Sequence, residues 1–554
     1  MSNRGVFITG ILALLIAFGG IGCDEKPDEP QNGNNPVVKP HKIIPLPSRV
    51  TISTDQIIIT DHSKLFVSDL FNRAGQVVID AFNENFGFTL TANTDDIDHS
   101  IIVIVFDEDL YDDAYEIEID REKVLIKVSS PEGAFYAAQT FRQILWNADI
   151  DTGLSKIALQ SIKVTDHPRN TYRGFHMDLS RHLFPMEFIF SIIDQMALYK
   201  LNKLQLHLTD DQGWRIQLEK YPKLTSIGGY REFNDYDYEC IEITKYDSDY
   251  NFNPRFVNGD IYGGYYTKQD IRDIVAYASE NFIDVIPEID MPGHMSAAIR
   301  AYPELFLSCS GNTDWGDEFS EPLCVCKPEV MQFAFDVWDE VLELFPYEYM
   351  HLGADEVDKS FWKGSALCQQ FMEDHNLNHV NKIQSYFVDE MYKYFGSKGR
   401  SMIAWDDILV SNDDDIVNVV DPNINIMYWR DYKPESADYA AQNGNSIILT
   451  PWSWFYLSSD ATDENLKRLY DFDENSEVSA GVIERKIGYQ ACVWTEIIPS
   501  GAVFERHIFP RFQAYAEVAW SNPSAWDSFV KRMPAHIDYL EDHEIKYTKS
   551  DYFK

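Results

Sequence analysis

Two adjacent carboxyls, Asp355 and Glu356, follow the short apolar run 349–352 and a Gly-Ala step. A carboxylic acid in such a place can protonate a leaving glycosidic oxygen, while a neighbouring carboxylate steadies the cationic transition state. Alone, an Asp-Glu dipeptide is usually a solvated loop charge. This one is not alone. Seven other apolar runs end in similar residues: Asp-Leu-Ser-Arg-His (178–182), Thr-Asp-Asp-Gln-Gly-Trp (209–214), Pro-Glu-Ile-Asp-Met-Pro-Gly-His (287–294), Ala-Trp-Asp-Asp (404–407), Tyr-Trp-Arg (428–430), Pro-Trp-Ser-Trp-Phe-Tyr (451–456) and Val-Trp-Thr-Glu (493–496). Carboxylates interleaved with tryptophan suit sugar chemistry, because pyranose rings stack on flat aromatic faces.

The eight runs span 172–179, 203–208, 283–289, 349–352, 401–405, 424–429, 446–449 and 489–494. Most intervals hold helical stretches, among them 186–199, 268–281, 329–345 and 382–396. Strands alternating with helices in this number predict an α/β fold, a (β/α)8 TIM barrel over 168–523, whose site lies at the C-terminal strand ends. Residues 41–167 read as a smaller α/β (α+β) supporting domain. There 57–60, 101–106, 116–119 and 123–128 are β-rich, and 131–145 sets Ala134, Ala138, Phe141 and Leu145 on one helical face. Residues 524–554 read as a C-terminal helical tail.

The formal net charge of −42 tilts against nucleic acid and favours neutral or amino-sugar substrates over polyanions. Residues 1–22 have the form of a signal peptide: Arg4, then an apolar run too short for a membrane span, then small residues. Gly22-Cys23 resembles a bacterial lipoprotein cleavage junction, with Gly20 where Leu is usual, so Cys23 is the expected lipidation site. The acidic, Pro- and Asn-rich residues 23–40 read as a flexible tether. The expected location is therefore that of an exported outer-membrane lipoprotein, periplasmic or cell-surface, touching membrane only through its anchor. Export makes disulfides available, and Cys309 has two candidate partners, Cys324 and Cys326. No His-x-His or His-Glu-x-x-His spacing marks a metal site, and no metal or cofactor is expected.

From about residue 40 to 523 the chain resembles glycoside hydrolase family 20, the β-N-acetylhexosaminidases. The matching motifs are SRH (180–182), HLTDDQGWRI (207–216), PEIDMPGH (287–294), HLGADEV (351–357), WTE (494–496) and PRFQAYAEVAWS (510–521). The resemblance implies an exo-acting retaining enzyme that removes terminal β-linked GlcNAc or GalNAc from an oligosaccharide or glycoconjugate. The substrate's own acetamide would be the nucleophile. Glu356 would be general acid and then base, its protonated form favoured by burial beside a carboxylate, and Asp355 would accept the acetamide N–H. Arg181 would hold ring hydroxyls, Asp210 and His294 would form a relay to Glu356, and Trp405, Trp429 and Trp494 would wall the acetamide slot. Tyr456 would donate to the acetamide oxygen, and Glu496 would bind an outer hydroxyl. His351 and Asp290 would support the site, with Asp211 behind it.

The chain departs from the family at Ser458, where many relatives carry Asp or Asn that helps bind the hydroxyls at positions 4 and 6. The long Tyr-rich insert 228–265 is expected at the pocket rim or against the aglycone. Two rival readings use the same residues. A metal-dependent polysaccharide hydrolase would take Asp210, Asp211, Asp290, His294 and His351 as ligands, and a catalytically inactive glycan-binding lipoprotein would have lost the acid or its orienting partner.

Overall fold

The computed structural model describes residues 38–554 except 94, 112, 152–154, 310–320, 411–416 and 522–524. The signal, Cys23 and most of the tether lie outside the described residues. Eight parallel strands close into a barrel in sequence order: Tyr172–Asp178, Lys203–His207, Asp284–Glu288, Tyr349–His351, Ser401–Trp405, Asn425–Tyr428, Ile447–Leu449 and Lys486–Val493, the last pairing back onto the first. All eight expected strands are present, several a residue or two shorter. The fourth is only three residues long. Asp355 and Glu356 therefore do not close a strand; they sit four and five residues beyond it, on a loop.

Helices between the strands cover the barrel because each carries one apolar face. Lys268–Glu280 buries Ile271, Ile274, Val275 and Ala278, a spacing of three and four. Its N-terminus is closed by a capping box between Thr267 and Asp270, which satisfies donors that the first turn would otherwise leave unpaired.

Ahead of the barrel, a mixed eight-stranded sheet includes Arg49–Thr60, paired along its length with Lys156–Asp166. Two helices, Asn72–Phe86 and Pro131–Leu145, accompany it. The second buries all but three of its residues because it lies between sheet and barrel. Gln143 donates to the carbonyls of Ile44 and Leu198, and Arg173 of the first barrel strand donates to the Tyr136 hydroxyl. Asp166 ties the same seam, accepting from Tyr115, Lys200 and the Trp520 indole. The C-terminal helix Trp526–Asp542 closes the assembly: Arg532 makes two bonds to Glu517 at 2.6 and 2.7 Å and one to the Ile43 carbonyl. A fork on a carboxylate is the strongest way to hold a buried guanidinium.

Cys309 is bridged to Cys324, not Cys326. Cys326 instead approaches Cys368, with the sulfurs 2.7 Å apart.

Candidate active site

At the C-terminal mouth of the barrel is a pocket of about 470 Å³. Of the residues expected in a site, Arg181, His294, Asp355, Glu356, Trp405, Trp429, Tyr456, Trp494 and Glu496 line it. Asp210 does not. It stands behind them, 2.8 Å from Arg181 and 3.3 Å from His294.

Three backbone positions shape the reacting end. His294, Ala354 and Glu356 have φ of 50°, 71° and 44°, a region that side chains other than glycine seldom enter. Such strain persists only where the surroundings over-determine it, and the surroundings here are tight. Asp290 accepts the Ala354 N–H at 2.9 Å, while Asp407 accepts the Glu356 N–H at 3.3 Å. Gly353 has φ of 73°, and a Cβ there would fall 2.1 Å from the Asp290 carboxyl oxygen. The turn thus presents both carboxyls to the pocket from a loop pinned on two sides.

The two carboxyls differ in setting. Asp355 is 13% exposed and Glu356 is 33% exposed. Burial therefore acts most on Asp355, contrary to the expectation that placed its main effect on Glu356. Burial pushes Asp355 up to about 7, the Asp407 and Glu356 charges push the same way, and His294 pulls against them. Asp290, fully buried, is held well above the ordinary carboxylate range by burial and then by the Asp355 charge.

His294 joins this pair to a second set of acids. Its Nδ1 lies 3.3 Å from both Asp210 and Asp211, and its Nε2 lies 3.8 Å from Asp355 and 3.6 Å from Glu356. Burial opposes its charge, but Asp210 and the surrounding carboxylates overcome that and hold it well above the usual histidine range. Asp211 touches the imidazole as closely as Asp210 does. Asp210, Asp211 and His294 could each offer one ligand atom within 4.8 Å. A metal ligand must be neutral imidazole, whereas these acids favour imidazolium.

The outer end is built around Arg181. Its guanidinium lies 2.8 Å from Asp210, 3.3 Å from Asp178 and 3.8 Å from Glu496, and it donates to Gln212 at 2.9 Å. Its carbonyl accepts from Arg231, and the adjacent His182 meets Asp237 at 3.1 Å. The insert 228–265 therefore braces the Arg181 turn from behind; none of its residues is among those lining the pocket.

The aromatic wall is held by acids beneath it. Trp405 donates its indole N–H to Glu288 at 2.7 Å, and Trp429 donates to Asp407 at 2.8 Å. Tyr456 stacks on Trp429 with ring centroids 6.2 Å apart, and Trp494 lies 6.1 Å from Tyr456 and 6.0 Å from Trp405. Glu288 is wholly buried and also meets His207, at 2.8 Å, and His351, at 3.3 Å. His351 and Asp290 thus sit beneath the site as expected of supports. Glu288, Asp178 and Asp407 were not singled out from sequence, although all three fall within the strand-end motifs. Trp452, 53% exposed at the pocket mouth, was also passed over within Pro-Trp-Ser-Trp.

Comparison with known proteins agrees with this geometry. The family model "Glycosyl hydrolase family 20, catalytic domain" matches residues 170–523, and "Glycosyl hydrolase family 20, domain 2" matches 40–167. The chain belongs to glycosyl hydrolase family 20. A protein of Porphyromonas gingivalis named beta-hexosaminidase is 33% identical over 91% of this chain, which spans 64% of that relative's length. A family 20 exo beta-N-acetylglucosaminidase from Vibrio harveyi, solved in complex with N-acetylglucosamine, superposes with a TM-score of 0.80 at 27% identity, covering 93% of this chain and 79% of that one. The beta-N-acetylhexosaminidase of Streptomyces coelicolor gives 0.74 at 26% identity, covering 93% and 99%.

Proposed function

We propose that this family 20 chain is an exo-acting retaining β-N-acetylhexosaminidase that removes terminal GlcNAc or GalNAc by substrate-assisted catalysis. The observation that carries the reading is the Asp355–Glu356 pair on a strained, pinned turn, facing a slot walled by Trp405, Trp429, Trp494 and Tyr456. Such a slot suits an acetamide: apolar faces for its methyl, a hydroxyl for its oxygen and a carboxylate for its N–H.

In this reading the acetamide oxygen attacks the anomeric carbon while Glu356 gives its proton to the departing glycosidic oxygen. The glycosidic bond breaks, its electrons go to that oxygen, and a cyclic oxazolinium forms. Ionised Asp355 accepts the acetamide N–H and offsets the charge that develops on the ring. Water then attacks the same carbon, Glu356 takes its proton, and the ring reopens. Two inversions give overall retention. His294, charged and shared between the two acid pairs, holds the carboxyls in register, and Arg181 and Glu496 grip the hydroxyls of the terminal sugar.

Nitrophenol release from aryl β-GlcNAc, β-GalNAc and β-glucoside, compared side by side, tests the reading. Hydrolysis of one or both acetamido sugars with the glucoside inert is expected; equal cleavage of the glucoside would contradict it. We also propose that the chain is anchored by lipid at Cys23. Cys23→Ala is then expected in the aqueous phase of a detergent extraction and wild type in the detergent phase, and identical partitioning would overturn the anchor.

A further inference from the structure

A buried free cysteine ordinarily packs as a small hydrophobe. Cys240 and Cys492 fit that description, each buried with no second cysteine beside it among the described residues. Cys309, Cys324, Cys326 and Cys368 are different, because their sulfurs form one cluster. Cys309 is bridged to Cys324, and the Cys368 sulfur lies 3.3 Å from that of Cys309 and 2.7 Å from that of Cys326. None of the four is more than 4% exposed.

The cluster lies where two site-bearing loops meet. The first leaves the strand Asp284–Glu288, turns through His294 and returns at 323–326. There Leu323 donates its backbone N–H to the Pro292 carbonyl at 2.8 Å, and Cys326 stands just ahead of the helix Pro328–Leu342. The second leaves the strand Tyr349–His351, carries Asp355 and Glu356, and enters the helix Ala366–Asp374, whose first turn holds Cys368. Ser365 caps that helix by accepting the Cys368 N–H at 3.4 Å. The loops also touch at Trp362, whose indole donates to the Leu323 carbonyl at 3.0 Å, and at Gly293, where a Cβ would fall 2.8 Å from the Asp355 carbonyl oxygen. Cys326 and Cys368 therefore meet across a seam that other contacts already hold closed.

We propose that Cys326 and Cys368 form a second disulfide, a staple between the loop of His294 and the loop of Asp355 and Glu356. The two sulfurs need to close by only about 0.7 Å to reach bonding distance. The covalent ring so formed encloses residues 326–368, and with them the fourth barrel strand and both carboxyls. Both sulfurs are buried in the finished fold, so the bond forms while the loops are still closing. One of the two thiolates attacks a sulfur of an external disulfide, small-molecule or protein, and displaces one thiolate from it. The other then attacks the mixed disulfide, closes the bridge and displaces the second. Two protons and two electrons pass from the chain's thiols to the oxidant, which leaves as two thiols. Cys309, Cys324 and Cys368 are also close enough to share a metal ion, but the bond between the first two removes both as thiolate ligands.

The test is the cysteine pairing of the full chain, reduced and unfolded, refolded in a buffer of reduced and oxidised glutathione, alkylated, and digested without reduction. The same mapping on chain made by an exporting host covers the case in which refolding fails. Peptide masses are expected to show Cys326 linked to Cys368 in most folded chains, alongside Cys309–Cys324. Alkylation of both Cys326 and Cys368 in most folded chains, a predominant Cys309–Cys368 link, or a zinc ion held by these sulfurs overturns the inference. Thermal unfolding gives a second reading. Under oxidising conditions the double variant Cys326→Ser, Cys368→Ser is expected to melt about 3 °C or more below wild type, and the gap is expected to narrow when both are reduced. A gap of equal size with and without reductant means that the two thiols only pack, and it overturns the staple.

Discussion

The two ends of the pocket use the same residue types to opposite purpose. At the outer end acids outnumber one arginine, and all of them converge on it: Asp178, Asp210 and Glu496 lie between 2.8 and 3.8 Å from Arg181. Each of these acids is within ion-pair reach of the one guanidinium, and the turn that carries Arg181 is braced through its carbonyl by Arg231. At the reacting end the acids face one another. Asp290, buried, and Asp355, half-buried, stand beside each other, with one oxygen of each lacking a hydrogen-bond partner, and both are pushed upward. An end whose acids converge on one arginine can hold a sugar. An end whose acids are incompletely paired can also trade protons at neutral pH.

The largest blow to that contrast should come at the reacting end. Glu356→Gln is expected to lower kcat on glycosides with poor leaving groups by ~10²–10⁴, with the thermal transition little changed because the side chain is one-third exposed. Near wild-type turnover of a chitobiose-type substrate by this variant would remove Glu356 from the chemistry.

Asp355→Asn comes next, with an expected loss of ~10²–10³ in kcat/KM from a lost charge at the developing cation. Its pH profile is the sharper reading. Asp355 is raised to about 7, so it is protonated as pH falls below that value and then cannot accept the acetamide N–H. The wild-type kcat/KM profile, which reports the free enzyme, should therefore fall on the acid side of about 7. In Asp355→Asn that limb should be missing. An unchanged limb in the variant would assign it to another group.

The outer end should give the smallest effect. Arg181→Lys keeps the charge but loses the fork that meets Asp178 and Asp210 together, and an increase of ~10-fold in KM with a smaller change in kcat is expected. A fall in kcat as large as that of Glu356→Gln would mean that the outer end takes part in the chemistry and would break the distinction between the two.

The barrel was legible in the sequence because its strands are short apolar runs closed by polar and aromatic residues, a pattern that needs no tertiary context. The sheet domain was harder to read. Its helix Asn72–Phe86 was passed over although buried Ala74, Val77, Val78, Ala81 and Phe82 recur at helical spacing. The site residues were found through their motifs, not through their surroundings. Glu288 and Asp407 look like any acid near a strand end, and only the fold shows them holding Trp405 and Trp429. Left-handed backbone at Ala354 and Glu356 has no signature in residues that avoid it.

The central claim is that the substrate's acetamide, not a protein carboxylate, attacks the anomeric carbon. Rates for a series of aryl glycosides carrying acetyl, fluoroacetyl, difluoroacetyl and trifluoroacetyl groups on the 2-amino nitrogen test it most directly. Each fluorine withdraws electrons from the amide oxygen, so the account predicts a steep fall in kcat/KM along the series. A flat series, together with a covalent adduct on a carboxylate trapped by a 2-fluoro glycoside, would contradict it.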